Sequence, residues 1–263
     1  MNTNCLEILG LNYQNIFENF SIAFANNHFI TITGSNNCGK TTLLRIISKE
    51  IETSNTVLLY GNKIEDYKVT ELNKIIKTVF PLEITFTQKT VEEELLYQLP
   101  VDLSKEDKQK LLKTTAKRFK ITKILTKSLT SLSNEEIIRL QLSLATINKP
   151  KILLLDNLNS FFNKKDLIEL VANLKTLLTE GLTVIMATNN LDCTLEADYL
   201  YVINDSEIVL EGEPLKVLEK DNILNKIGLE LPFMMDLAVK LRDYDLIKQL
   251  ELDMERMVNT LWN

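Results

Sequence analysis

Eight residues, Gly34-Ser35-Asn36-Asn37-Cys38-Gly39-Lys40-Thr41, carry the spacing G-x-x-x-x-G-K-[ST], which occurs once in the chain. A loop of this kind turns its backbone N–H groups toward an anion, and its glycines let the backbone approach closely. Lys40 supplies a point charge for β- and γ-phosphates, and the Thr41 hydroxyl supplies a hard oxygen for Mg2+. Thr42 extends the same binding stretch. Asn37 stands where many such loops carry a further glycine, and Asn is among the best non-glycine residues in left-handed backbone. Asp156 is the second candidate: a carboxylate at the end of the apolar run 151–156, placed to share Mg2+ with Thr41. The chemistry these types and spacings predict is the holding of a nucleoside triphosphate, ATP first among them, with Mg2+.

Such a loop needs a strand before it and a helix after it. Residues 28–33 (HFITIT) form a short β-branched apolar run that stops at Gly34, and 41–51 place Leu43, Leu44, Ile47 and Ile51 on one helical face. Upstream, 6–13 and 20–25 read as strands around a polar turn at 14–19, and 56–64 as another hairpin strand. From Thr90 to Asn148 the pattern is helical, with helices expected over 91–99, 106–119 and 134–148. The last has Ser133 as N-cap and Glu136 at the capping-box spacing. Then come a buried strand over 151–156, a helix over 164–181 ending at Gly181, and a buried strand over 182–188. An exposed hairpin of 199–205 and 207–213 follows, and a helical tail runs from Lys216 to Trp262. The fold class expected is α/β, a P-loop NTPase with a RecA-like mixed sheet and an N-terminal antiparallel β part. Residues 1–80 and 150–215 are expected to form the nucleotide-binding core, 81–149 an inserted helical subdomain, and 216–263 a helical C-terminal extension.

Composition narrows the setting. The 263 residues, 45% hydrophobic and 25% charged, suit a folded globular chain. A net charge of -6 argues against a broad nucleic-acid surface. Cys5, Cys38 and Cys193 are odd in number and lack metal-type spacing, so they read as free thiols in a reducing compartment. The first ten residues lack the basic region and apolar run of a signal peptide, and no run reaches the ~18 apolar residues needed to span a bilayer. Contact with a membrane is therefore expected only through a partner.

In order and spacing these features resemble the ATP-binding subunit of ABC transporters over nearly the whole chain. The resemblance places Tyr13 where an aromatic stacks on adenine and 89–95 (KTVEEEL) just after the glutamine loop. It likens 128–156 to the signature motif, its helix and Walker B, 183–190 to the switch-loop strand, and 201–214 to the hairpin that follows. The tail, 227–247 with 254–262, resembles the C-terminal extension of the energy-coupling-factor (ECF) branch. That branch implies a dimer with a second, different ATPase chain beneath a transmembrane coupling protein, and a separate membrane subunit that captures substrate. The location implied is cytoplasmic, peripheral on the inner face of the membrane, with no nucleic acid involved.

The departures from the family pattern fall at the chemistry. Asn157 stands at the general-base position, and an amide cannot take a proton from water. Asn189 stands at the switch histidine, Pro81 at the glutamine of its loop, and Asn163 at the D-loop aspartate. The signature motif, offered to the partner's nucleotide, is Leu132-Ser133-Asn134-Glu135-Glu136. Ser133 survives and its glycines do not, which contributes to a content of only 7 Gly. Glu135 is expected to put negative charge where a partner's γ-phosphate should sit. The pattern implies a subunit that binds Mg-ATP and hydrolyses it weakly. Two other readings stay open: a nucleotide-binding regulatory module outside transport, and an unrelated P-loop enzyme such as a small-molecule kinase.

Overall fold

The computed structural model of the chain describes residues 4–53 and 57–262. Strands β1 (Asn4–Tyr13) and β2 (Phe17–Ala25) pair antiparallel, and their alternation buries Leu6, Ile8 and Leu11 against Phe20, Ile22 and Phe24. Strand β3 (Phe29–Gly34) is buried at every position and feeds the phosphate loop, from which α1 (Lys40–Ile47) departs. The helix is shorter than its apolar pattern: Lys49 turns left-handed at φ 63, and Ile51 packs on the core from outside the helix. The expected strand over 56–64 is instead a small hairpin, β4 (Val57–Leu59) and β5 (Asn62–Lys63), around Gly61 at φ 80. Thr56 lies outside the described residues. The N-terminal sheet has the order β2-β1-β4-β5.

Helix α2 (Val69–Ile75) runs directly into β6 (Ile76–Val79), and neither is expected from the pattern of the sequence. A helical segment follows: α3 (Val91–Gln98), α4 (Lys105–Arg118) and α5 (Asn134–Thr146). It packs Val91, Leu95, Leu112 and Ala116 around Leu140 and Leu144. The chain then forms β7 (Ile152–Asp156), α6 (Lys164–Leu178), β8 (Thr183–Ala187), β9 (Tyr199–Asn204) and β10 (Glu207–Gly212).

The main sheet has the order β10-β9-β3-β8-β7-β6. All neighbours are parallel except β10, which closes the edge antiparallel. The 199–213 hairpin is therefore not wholly exposed: β9 lies between β3 and β10 with Leu200 to Ile203 buried. One face of the sheet packs on α1 and the N-terminal sheet, the other on α5 and α6. The tail forms α7 (Pro214–Leu218), α8 (Asp221–Lys226), α9 (Phe233–Asp243) and α10 (Met254–Trp262). Leu218, Leu224, Met235 and Val239 from this tail pack on Leu200 and Val202 of β9. No helix of the described residues is long and apolar enough to cross a membrane.

Candidate nucleotide site

The phosphate loop closes where β3 meets its neighbours. A Cβ on Gly34 would land on the Ile203 carbonyl of β9 and lie 2.8 Å from Cys38 Sγ. Gly39 has φ 97, and a Cβ there would sit 2.5 Å from Ile16 Cγ2 and 2.7 Å from Phe17 Cζ. Both positions thus require glycine because protein occupies the space a side chain needs. Asn37 takes the left-handed backbone its type favours, at φ 64. Gly39 leaves the first turn of α1 without a side-chain cap, so its N–H groups are available to an anion.

Lys40 Nζ donates to the carbonyls of Gly34 at 3.0 Å and Ser35 at 2.8 Å, and lies 3.4 Å from Cys38 Sγ. The ammonium is thereby folded into the loop it would serve. Across the site, Thr41 Oγ1 donates to Asp156 Oδ2 at 2.8 Å. Burial pushes the Asp156 carboxyl above the usual carboxylate range, opposed by the Thr41 hydrogen bond and by Arg45 and Lys40. A hydroxyl and a carboxylate so placed fit Mg2+, which takes few protein oxygens and completes its octahedron with phosphate and water. The cation's charge would also favour the ionised carboxylate that burial disfavours.

Asn36, Asn37, Gly39, Lys40, Thr41 and Thr42 line a cavity of about 360 Å³ with Asp156, Asn157 and Asn189. Parallel pairing brings these together: Asp156 registers with Ala187, so the loops after β7 and β8 open side by side. Asn157 is left-handed at φ 49, and its N–H donates to the Ala187 carbonyl at 2.8 Å. Asn189 Nδ2 donates to Asn36 Oδ1 at 2.9 Å, tying the loop after β8 to the phosphate loop. Ala187 and Thr188, from the stretch likened to the switch-loop strand, also line the cavity, as does Ile16, which carried no sequence signal.

Other expected residues lie apart from it. Ser35 is turned toward β9, its hydroxyl bonded to Asn204 Oδ1 at 2.8 Å. Tyr13 packs partly buried against the core and does not line the cavity. Ser133 to Glu136 form the capping box at the start of α5: Ser133 N–H donates to Glu136 Oε2 at 2.9 Å and Glu136 N–H to Ser133 Oγ at 3.3 Å. The Glu135 carboxylate is paired within its own helix, its Oε1 accepting from Arg139 Nε at 2.8 Å. Asn163 caps α6, accepting from the Asp166 N–H at 3.0 Å. Pro81 follows β6, and the loop there is braced by Gln141 of α5. Gln141 Nε2 donates to the Phe80 carbonyl at 3.0 Å and its Oε1 accepts from the Leu82 N–H at 3.3 Å.

A phosphate loop between a central parallel strand and its helix, facing a strand-end carboxylate two strands away, defines a P-loop NTPase. Residues 17–160 match the family model described as ABC transporter, and the chain belongs to that family. It is 32% identical over 235 residues to the spermidine/putrescine import ATP-binding protein PotA of Spiroplasma citri, covering 85% of this chain and 66% of that one. It is 25% identical over 263 residues to the energy-coupling factor transporter ATP-binding protein EcfA of Pediococcus pentosaceus, covering 96% of this chain and 94% of the other. Among solved structures, cbiO1 of Clostridium perfringens, part of the ABC transporter complex cbiONQ, has the same fold. It aligns at a TM-score of 0.75 and 23% identity, over 90% of this chain and 99% of that one.

Proposed function

We propose that this chain is the ATP-binding subunit of an ECF-type ABC importer, holding Mg-ATP with weak intrinsic hydrolysis. One observation carries the reading. Lys40, Thr41 and Asp156 converge on a single cavity whose remaining wall presents Asn157 and Asn189 in place of groups that could move a proton. The cradle supports binding, while loss of a general base typically costs ~10²–10⁴-fold in rate. Residues 1–80 and 150–215 serve as the nucleotide core, 81–149 as the helical subdomain, and 216–263 as the C-terminal extension. The partners are a second, more complete ATPase chain, a transmembrane coupling protein and a substrate-capturing membrane subunit, with this chain peripheral on the cytoplasmic face. The near end-to-end similarity to EcfA favours this arrangement.

Two measurements test the reading. The purified chain should bind a fluorescent ATP analogue, lose that binding on Lys40→Ala, and release phosphate at a rate near background. A tagged chain expressed in its own cell should co-purify with membrane protein. A chain that binds nucleotide but never meets a membrane subunit would point instead to a regulatory module.

A further inference from the structure

Arg45 stands one turn beyond Thr41 on α1, so the two share a face of the helix. Thr41 is bonded to Asp156. Strand pairing brings a third group alongside: Val79 of β6 registers with Leu155, which sets Phe80 beside Asp156. Arg45 is held among these by three contacts. Its Nη2 reaches both oxygens of Glu83, at 2.7 and 2.6 Å, and its Nη1 reaches Glu50 at 2.9 Å. Its Cζ lies 4.5 Å from the centre of the Phe80 ring. Arg45 thus carries a guanidinium one helical turn from the residue that bonds Asp156, which among the described residues is the only carboxylate lining the cavity, but its hydrogen bonds point elsewhere.

We propose that Glu83 is a positioning residue for the cation half of the site: by holding Arg45 on Phe80, it keeps Asp156 free for a divalent cation. This rests on reading the site as one for Mg-nucleotide. The physical reason is competition. A guanidinium and Mg2+ both seek the Asp156 carboxylate, and Arg is the side chain best fitted to take a carboxylate in a forked pair. Glu83 offers an alternative carboxylate in the loop that enters the helical segment. The position of that loop therefore sets, together with Glu50, where the Arg45 charge points. Pro81, two residues earlier, has no side-chain amide to reach the nucleotide, so the contact between this loop and the site runs through Glu83 and Arg45 instead.

The test is the Mg2+ dependence of nucleotide binding by the whole chain. A fluorescent ATP analogue is titrated in excess MgCl2 and again in EDTA, for wild type, Glu83→Gln, Arg45→Met and the double variant. Glu83→Gln is expected to lower the ratio of the two affinities by about tenfold, the scale of one added ion pair close to the site. Its affinity in EDTA should hold. Adding Arg45→Met to Glu83→Gln should restore the ratio, since the competing cation is gone. An unchanged ratio in Glu83→Gln, or a double variant no better than Glu83→Gln, overturns the proposal. A role in folding alone would shift both affinities together and would not be rescued by the second change. Failure of the wild type to bind nucleotide overturns the function above as well, whereas binding with an unaltered ratio overturns this inference alone.

Discussion

Asn157→Glu returns a carboxylate to the wall of the cavity where the chain carries an amide. The backbone there is left-handed, φ 49 and ψ 45, and is held by the N–H bond to the Ala187 carbonyl. Asn accepts that geometry through local hydrogen bonding, and most other side chains lose about 1–2 kcal/mol in it. For a chain of this size that is a fall in Tm of about 2–8 °C. Against this cost, a positioned base accelerates proton transfer by ~10²–10⁴-fold. The assay is phosphate release at saturating Mg-ATP, at protein concentrations that allow copies to pair, for wild type, Asn157→Glu, Asn157→Ala and Lys40→Ala/Asn157→Glu. Wild type and Asn157→Ala should sit together near background, Asn157→Glu at least ~10²-fold above them, and the Lys40 change should erase the gain. Robust turnover by the wild type that Asn157→Ala leaves untouched would refute the reasoning and place the base elsewhere.

Gly39→Ala should weaken nucleotide binding and lower the melting temperature together. The new methyl meets Ile16 and Phe17 at a backbone with φ 97, and the loop must move to relieve it. The pH dependence of stability should carry a term from Glu136, whose hydrogen bonds to Lys127 and the Ser133 backbone hold its carboxyl below the usual range. A depressed carboxylate stabilises fully above its unfolded pKa, about 4.3, and loses that contribution as pH falls through the folded value. The gap in urea midpoint between wild type and Glu136→Gln should accordingly close on acidification. Burial lifts the thiol of Cys5 to about 11 and that of Cys193 to about 12. Both should resist a thiol-specific reagent at neutral pH in the folded chain and react once it is unfolded in urea.

The phosphate loop was legible because its requirements are local: a strand, two glycines, a lysine and a hydroxyl at fixed offsets. Asp156 was legible from one apolar run ending in a carboxylate. What escaped is set by distant pairing. Strand β6 has four residues, of which only Ile76 and Val79 are buried, too few for a period to emerge. Strand β9 is half of the expected hairpin with β10, marked by the turn signal of Asn204 to Glu207, but it also has a second partner. Its pairing with β3 spans most of the chain and leaves no mark nearby. The Glu135 pairing could have been seen, since Arg139 lies four residues on along the same helix. Gln141 and Glu83 could not, as each works across a gap in sequence.

Helix α5 has little spare surface beyond its first turn. Ile138, Leu142 and Ala145 face the core beneath the main sheet, while Leu140, Leu144 and Ile147 just after the helix face the core of the helical segment. The same rod that presents Ser133 at its tip is therefore an axle shared by two close-packed bodies. A packed core does not deform continuously, so a swing of the tip toward or away from another chain must roll this axle against one bearing or the other. The stiffness of any such swing would be set by six aliphatic side chains that do not line the phosphate cavity, and trimming them should alter how the tip moves before it alters what the phosphate loop holds.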